Sequence, residues 1–180
     1  AVMLLLAVTR RLVRDDAYVR AGQWTGFGAA PLTRSIAGKK VGILALGRIG
    51  ETIARKLVAA FGCVISSHSR NRKPVAWQYY PSLVDMAAAV DHLIVITPGG
   101  PATEKLVNRE VIDALGPEGT WINVARGSVV DEAAMVKALQ DGRLGGAGLD
   151  VFEEEPEVPA ALFAMDNVVL LPHVGSATVE

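Results

Sequence analysis

The sequence predicts an α/β chain with a doubly wound parallel sheet, helices on both faces and three layers, α/β/α. Three observations carry that prediction. Short apolar runs alternate with helical patterns through most of the 180 residues, and each alternation needs a crossover that returns the chain to a parallel strand. The run Leu93-Ile94-Val95-Ile96 is continuously apolar and bounded by Pro98-Gly99-Gly100-Pro101, as expected of a strand covered on both faces. The first apolar run, Lys40 to Leu44, breaks into the turn Ala45-Leu46-Gly47-Arg48-Ile49-Gly50 and then opens a helix.

Taken in order, Ala1 to about Arg20 reads as one helix with a buried face, ended by Gly22. Ala21 to Gly38, with Gly26, Gly28 and Pro31, reads as a loop into the strand Lys40 to Leu44. A helix follows over Arg48 to Phe61, where Ala54, Ala59 and Ala60 permit close packing on the sheet, and Gly62 closes it. Cys63 to Ser67 is the second strand, and the next lies within Asp91 to Thr97. The alternation continues with helix Asn108 to Leu115, strand Thr120 to Val124, helix Asp131 to Leu139 and strand Gly146 to Leu149. Val168 to Leu171 is the last strand, ending at Pro172.

Composition sets limits on partners. With 51% apolar residues the chain can bury a substantial core, and its net charge of −1 argues against coating a nucleic acid. The apolar start, Ala1 to Val8, is too short to span a membrane. One cysteine, Cys63, excludes an internal disulfide and reads as a small buried hydrophobe, consistent with a reducing, cytoplasmic setting. No metal site is predicted. Because Ala1 falls inside a helix and Glu180 follows no terminator, the chain is expected to be a piece of a longer one.

Ligands of such sheets sit beyond the carboxyl ends of the strands, so the chemistry is sought there. After the first strand, Gly47 and Gly50 match the second and third positions of G-x-G-x-x-G, but Ala45 stands at the first. The pattern suits a dinucleotide pyrophosphate held by a helix N-terminus, and alone it also suits a tight crossing with no nucleotide. After the second strand, Ser67-His68-Ser69-Arg70-Asn71-Arg72-Lys73 has no acidic residue for a ribose hydroxyl and several donors for a 2′-phosphate, which favours NADP(H) with NAD(H) possible. Read alone it is a solvated basic loop. Arg126 suits a carboxylate and a neighbouring carbonyl, and its rival role is to neutralise Asp131, itself read as a helix N-cap. His173 suits proton donation to a developing oxyanion, with an acidic partner from the Asp150 to Glu155 segment. His92, at an apolar strand entrance, reads as structural, and His68 as an adenine-side neighbour or an exposed loop residue.

The pieces A-L-G-R-I-G, N-V-A-R-G-S-V-V-D, G-G-A-G-L-D-V-F-E-E-E-P and L-L-P-H-V-G-S-A-T occur in an order and spacing that resembles the D-2-hydroxyacid dehydrogenases. The resemblance covers nearly the whole chain and implies a Rossmann-type cofactor-binding domain. S-H-S-R-N-R-K and P-G-G-P-A-T-E are similar to the NADPH-preferring glyoxylate and hydroxypyruvate reductase branch. The resemblance assigns substrate orientation to Arg126, the acid-pair glutamate to Glu155 rather than Glu153 or Glu154, and proton donation to His173. It assigns Gly47, Arg48, Ile49 and Gly50 to the pyrophosphate, Ser69, Arg70 and Arg72 to the 2′-phosphate, and Asp150 to the nicotinamide carboxamide. Leu46, Thr97, Pro98, Val124, Ala125 and Gly175 complete the expected cofactor groove.

The implied function is hydride transfer from NADPH to a small 2-ketoacid, glyoxylate or hydroxypyruvate, giving the D-2-hydroxyacid. The implied organisation is an interdomain and homodimer helix over 1–20 and a dinucleotide-binding domain over 21–180, with a separate substrate domain and a C-terminal helix outside this chain. The isolated chain is therefore expected to bind cofactor and turn over little. Two alternatives stand beside this reading: a non-catalytic NAD(P)-sensing interaction module of the same fold, and a formate dehydrogenase, against which Glu155 speaks.

Overall fold

The computed structural model describes residues 1–26 and 30–179; Gly28 and Glu180, named above, lie outside them. In chain order the elements are α1 (Val2–Thr9), α2 (Leu12–Arg20), β1 (Lys40–Leu44), α3 (Arg48–Phe61), β2 (Val64–His68), β3 (Gln78–Tyr79), α4 (Leu83–Ala89) and β4 (His92–Val95). They continue with α5 (Arg109–Leu115), β5 (Thr120–Asn123), α6 (Glu132–Gln140), β6 (Gly146–Leu149) and β7 (Val168–Leu170). The strands form one parallel sheet in the order β3-β2-β1-β4-β5-β6-β7. The chain winds outward from β1 in one direction and from β4 in the other, which opens a crevice at the carboxyl ends of that central pair.

Each face of the sheet has its own core. On one, Leu4, Leu5 and Val8 of α1 and Ile53, Ala54 and Leu57 of α3 pack against Val41, Ile43, Ile94 and Ile122. On the other, α4, α5 and α6 bring Met86, Ile112 and Met135 against Leu93, Val95 and Trp121. Each fully buried Leu or Ile contributes about 1.5–3 kcal/mol, so the layers are held by side chains that alternate along every strand. The three-layer α/β/α architecture expected from the sequence is the one observed.

Several local expectations need correction. The helix expected over Ala1 to Arg20 is two helices, broken at Arg11, whose φ is +48°. The break has a physical reason: α1 is apolar and packs on β5, β6 and β7, whereas α2 buries no residue and turns away from the sheet. Thr9 marks the junction, donating its hydroxyl to the Leu5 carbonyl and accepting the Arg34 amide on its own. Ala59 and Ala60 are exposed; only Ala54 of that set packs on the sheet, because Gly50, Ile53, Ala54 and Leu57 form the buried face of α3. Short α4 and two-residue β3 were not expected. Seven residues rich in alanine give little periodicity, although Ser82 caps α4 by accepting the Asp85 amide at 3.2 Å. Asn108 and Asp131 cap α5 and α6 in the same way.

Cys63 is buried, with its thiol donating to the Ile36 carbonyl, and burial pushes its pKa up. His92 is 4% exposed, and neither ring nitrogen has a hydrogen-bond partner. Burial pushes its pKa down to about 4 against the opposing pull of Asp91, with Lys39 and Arg34 adding to the depression. The folded state therefore holds His92 neutral while the unfolded chain takes up a proton below about pH 6.5. Its contribution is fully present above that pH and is lost as pH falls toward 4. Urea unfolding at pH 7 and pH 5 is expected to show about 2 kcal/mol of lost stability that His92→Gln does not share. Equal losses in the two proteins would remove His92 as the cause.

Candidate active site

The turn after β1 brings backbone, not side chains, to the crevice. Ala45 takes φ +74°, a left-handed conformation that costs a residue with a Cβ about 1–2 kcal/mol and suits the glycine usual at that position. Gly50 is required by space, since an added Cβ would lie 2.7 Å from the Ala45 carbonyl oxygen. Leu46 is buried in the core, so only its backbone reaches the cleft. Helix α3 starts at Gly47 with no side-chain cap, unlike α4, α5 and α6. Its first amides and positive dipole end are thus available to an anion.

At the end of β2 a cavity of about 430 Å³ is lined by His68, Ser69, Arg70, Asn71 and Lys73, with Gly47, Thr97 and Pro98 on the facing wall. Among the described residues no carboxylate lines it. Arg72 is exposed and not part of the lining, and Lys73 occupies that place instead. The turn is fixed by its own bonds: the Ser69 hydroxyl donates to the Asn71 carbonyl at 2.8 Å and the Tyr79 hydroxyl to the Ser69 carbonyl at 3.1 Å. His68 bonds the Tyr80 carbonyl through Nδ1 at 2.9 Å, which ties it to the loop that follows β3.

Beyond β4 and β5 the groove widens. Ile49, Thr97, Pro98, Val124, Ala125 and Arg126 line a space of about 680 Å³. It continues into a cleft of about 900 Å³ that reaches Arg48, Arg126, Asp150, His173 and Gly175. Arg126 is exposed and makes no ion pair with Asp131 among the described residues; its Nη1 donates to the Ala125 carbonyl at 2.6 Å. Its stem is set by Gly99, where a Cβ would come within 2.9 Å of Arg126 Cγ. Its backbone is set by Asn123, fully buried at the end of β5. Asn123 Nδ2 donates to the Arg126 carbonyl at 3.2 Å, and its Oδ1 accepts the Ala125 amide at 3.0 Å. Asn123 was missed from sequence; the signal for it was an amide side chain ending an otherwise apolar strand just before Arg126.

His173 lines this cleft and pairs with Glu155, 18 residues away along the chain. Nδ1 of His173 lies 2.7 Å from Glu155 Oε2, and Glu155 Oε1 accepts the Phe152 amide at 3.0 Å. The hydrogen bond to His173, with the Phe152 amide and the Arg126 charge, holds the Glu155 carboxyl below the usual carboxylate range despite some desolvation. With Nδ1 engaged, Nε2 remains for proton transfer. The acidic run divides here. Glu153 leans on Lys105 at 3.8 Å and its amide donates to Glu132, while Glu155 faces the histidine.

A parallel doubly wound sheet with an open helix N-terminus after its first strand, and polar groups gathered along the carboxyl ends, is the architecture of a nucleotide-dependent dehydrogenase domain. The chain belongs to the D-isomer specific 2-hydroxyacid dehydrogenases, residues 2–175 matching the model of that family's NAD binding domain. It is 56% identical over its whole length to a hydroxyphenylpyruvate reductase of Plectranthus scutellarioides and 54% identical to a glyoxylate/hydroxypyruvate reductase of Arabidopsis thaliana. It spans 57% of each of those relatives. Among solved structures, the NADPH-dependent glyoxylate/hydroxypyruvate reductase of Sinorhizobium meliloti, in complex with NADP and malonate, superposes with a TM-score of 0.93 at 54% identity. That match covers 99% of this chain and 56% of the other. Among the described residues no helix is long and apolar enough to cross a membrane.

Proposed function

We propose that this chain is the cofactor and proton-donor half of an NADPH-dependent 2-ketoacid reductase, acting on glyoxylate, hydroxypyruvate or a close analogue and yielding the D-2-hydroxyacid. The reading is carried by the His173–Glu155 pair, whose histidine borders the same cleft as Arg126. The groove fits a dinucleotide on two grounds: the uncapped start of α3 beside Gly50, where backbone must stay bare, and a cavity after β2 with basic donors and, among the described residues, no carboxylate.

When bound, NADPH supplies the hydride for the keto carbon. Arg126 holds the substrate carboxylate by charge-assisted hydrogen bonds and draws electron density from the adjacent carbonyl. His173 donates a proton from Nε2 to the carbonyl oxygen as charge develops there, and Glu155 orients the ring through Nδ1. Ser69, Arg70 and Lys73, with Arg72 nearby, would hold the 2′-phosphate, and Arg48, Ile49 and Gly50 would offer amides to the pyrophosphate. A second domain completes the substrate cleft, a homodimer forms through the 1–20 segment, where Leu12, Val13 and Val19 are exposed, and the enzyme is cytoplasmic. The sensing-module alternative has no support among the relatives described, which are reductases.

Fluorescence titration of the chain with NADPH and NADH tests the cofactor half of this proposal. NADPH is expected to bind at least about tenfold more tightly, a difference of about 1.4 kcal/mol, and Arg70→Ala to erase most of that preference. Equal affinities in the unmodified chain would overturn the NADPH assignment.

A further inference from the structure

The Phe152–Glu153 peptide is held from both sides by the stretch of chain that begins at Arg126. Its carbonyl lies against Gly127, where an added Cβ would come 1.9 Å from the Phe152 oxygen. Its N–H, the Glu153 amide, donates to Glu132 Oε2 at 3.1 Å. The amide before it, that of Phe152, donates to Glu155 Oε1 at 3.0 Å. Two successive amides therefore hold two carboxylates: Glu155, paired with His173, and Glu132, which opens α6 next to the N-cap Asp131.

Glu155 stands on an exposed turn, so its aim depends on what fixes that turn. Val151 and Phe152 are buried and anchor the entry, whereas Glu153, Glu154 and Glu155 are exposed. Glu132 reaches the turn from a helix whose Met135, Ala138 and Leu139 are buried, and so grips it from a firm support. The place is unfavourable for a charge. Burial holds the Glu132 carboxyl above the usual carboxylate range; the Glu153 amide draws it down, and the charges of Glu153 and Glu154 add to the rise. An acceptor suffices for this contact, and a neutral amide side chain supplies one.

We propose that Glu132 is a positioning residue for the Glu155–His173 pair, locking the Phe152–Glu153 peptide to the segment that carries Arg126 and so fixing the pair relative to that arginine. When the acceptor is lost the peptide is free to rotate, the Phe152 amide leaves Glu155, and the 2.7 Å contact of Glu155 with His173 loosens. The functional weight of this lock rests on the proposed roles of Arg126 and His173, but its geometry can be tested without turnover.

Glu132→Met keeps the length of the side chain and removes the acceptor, while Glu132→Gln removes the same charge and keeps an acceptor. Both lose the same charge from the first turn of α6, so a difference between them reads the hydrogen bond rather than the helix dipole. The readout is the ¹⁵N resonances of the neutral His173 ring, which report the nitrogen that carries the proton; Glu155→Ala marks their position when the contact is lost. Glu132→Met is expected to move them at least about halfway toward Glu155→Ala, and Glu132→Gln to leave them near those of the unmodified chain. Glu132→Ala takes the place of the methionine variant if that one folds poorly. Two results would overturn the proposal. One is unmoved His173 resonances in folded Glu132→Met or Glu132→Ala, whatever their melting temperatures. The other is a shift in Glu132→Gln as large as that in Glu132→Met. Neither readout needs ketoacid reduction, so an inactive enzyme would count against the proposed function and leave the positioning role to be decided on its own data.

Discussion

Gly127→Ala is expected to lower the melting temperature by about 10 °C. Gly127 follows Arg126 in the 3-10 turn Gly127–Val129, and a Cβ built there would lie 1.9 Å from the Phe152 carbonyl oxygen and 2.4 Å from the Glu153 amide nitrogen. All the obstructing atoms are backbone, so no side chain can swing aside. Two segments must separate, at a cost of about 3 kcal/mol, and a chain of this length loses about 2–4 °C for each kcal/mol. The damage extends to the site, because the displaced Phe152 carries the amide that holds Glu155. Circular dichroism melts check this; a shift of less than about 2 °C would mean that the two turns part freely.

His173→Gln, in a protein that joins this domain to its substrate domain, is expected to lower ketoacid reduction by about 10²–10⁴-fold. Glutamine retains a donor near Glu155 but has no proton to release at neutral pH. NADPH binding should change little, because the phosphate-binding turn and the cavity after β2 lie several strands away. The comparison that decides is single-turnover reduction against NADPH titration in the same variant. A fall of less than about tenfold would place the proton donor elsewhere. Glu155→Gln should act in the same direction more weakly, since the imidazole would keep its proton-donating nitrogen and lose the carboxylate that steadies it.

Much of the site is visible in short stretches because the fold makes it locally. Gly47 and Gly50, between the strand Lys40–Leu44 and the helix that follows, mark a candidate phosphate turn from sequence, since bare backbone at a helix start is a property of neighbouring residues. His173 is placed at a strand end by the apolar run before it and Pro172. Other parts depend on what lies across the sheet. Arg72 and Lys73 are equivalent as letters in a basic loop, and only the folded turn sets Lys73 rather than Arg72 in the cavity lining. Asn123 ends a buried strand unremarkably until its amide is seen to close the turn that carries Arg126.

The amino-acid sequence by itself determined the class of fold and the parallel alternation, and it singled out the glycine turn after the first strand and His173 with an acidic partner; periodicity, turn chemistry and residue type act over a few residues. Glu155 was picked out of its acidic run by the family resemblance. Tertiary structure alone decided that the first twenty residues divide at Arg11, because only the sheet tells α1 from α2. It also decided that Asp150 reaches Val174 and Gly175, 24 and 25 residues away, and that Gly127 has the Phe152 backbone against it. Such contacts are made by strands that pair in space after long crossovers, and no local pattern records where a crossover will land.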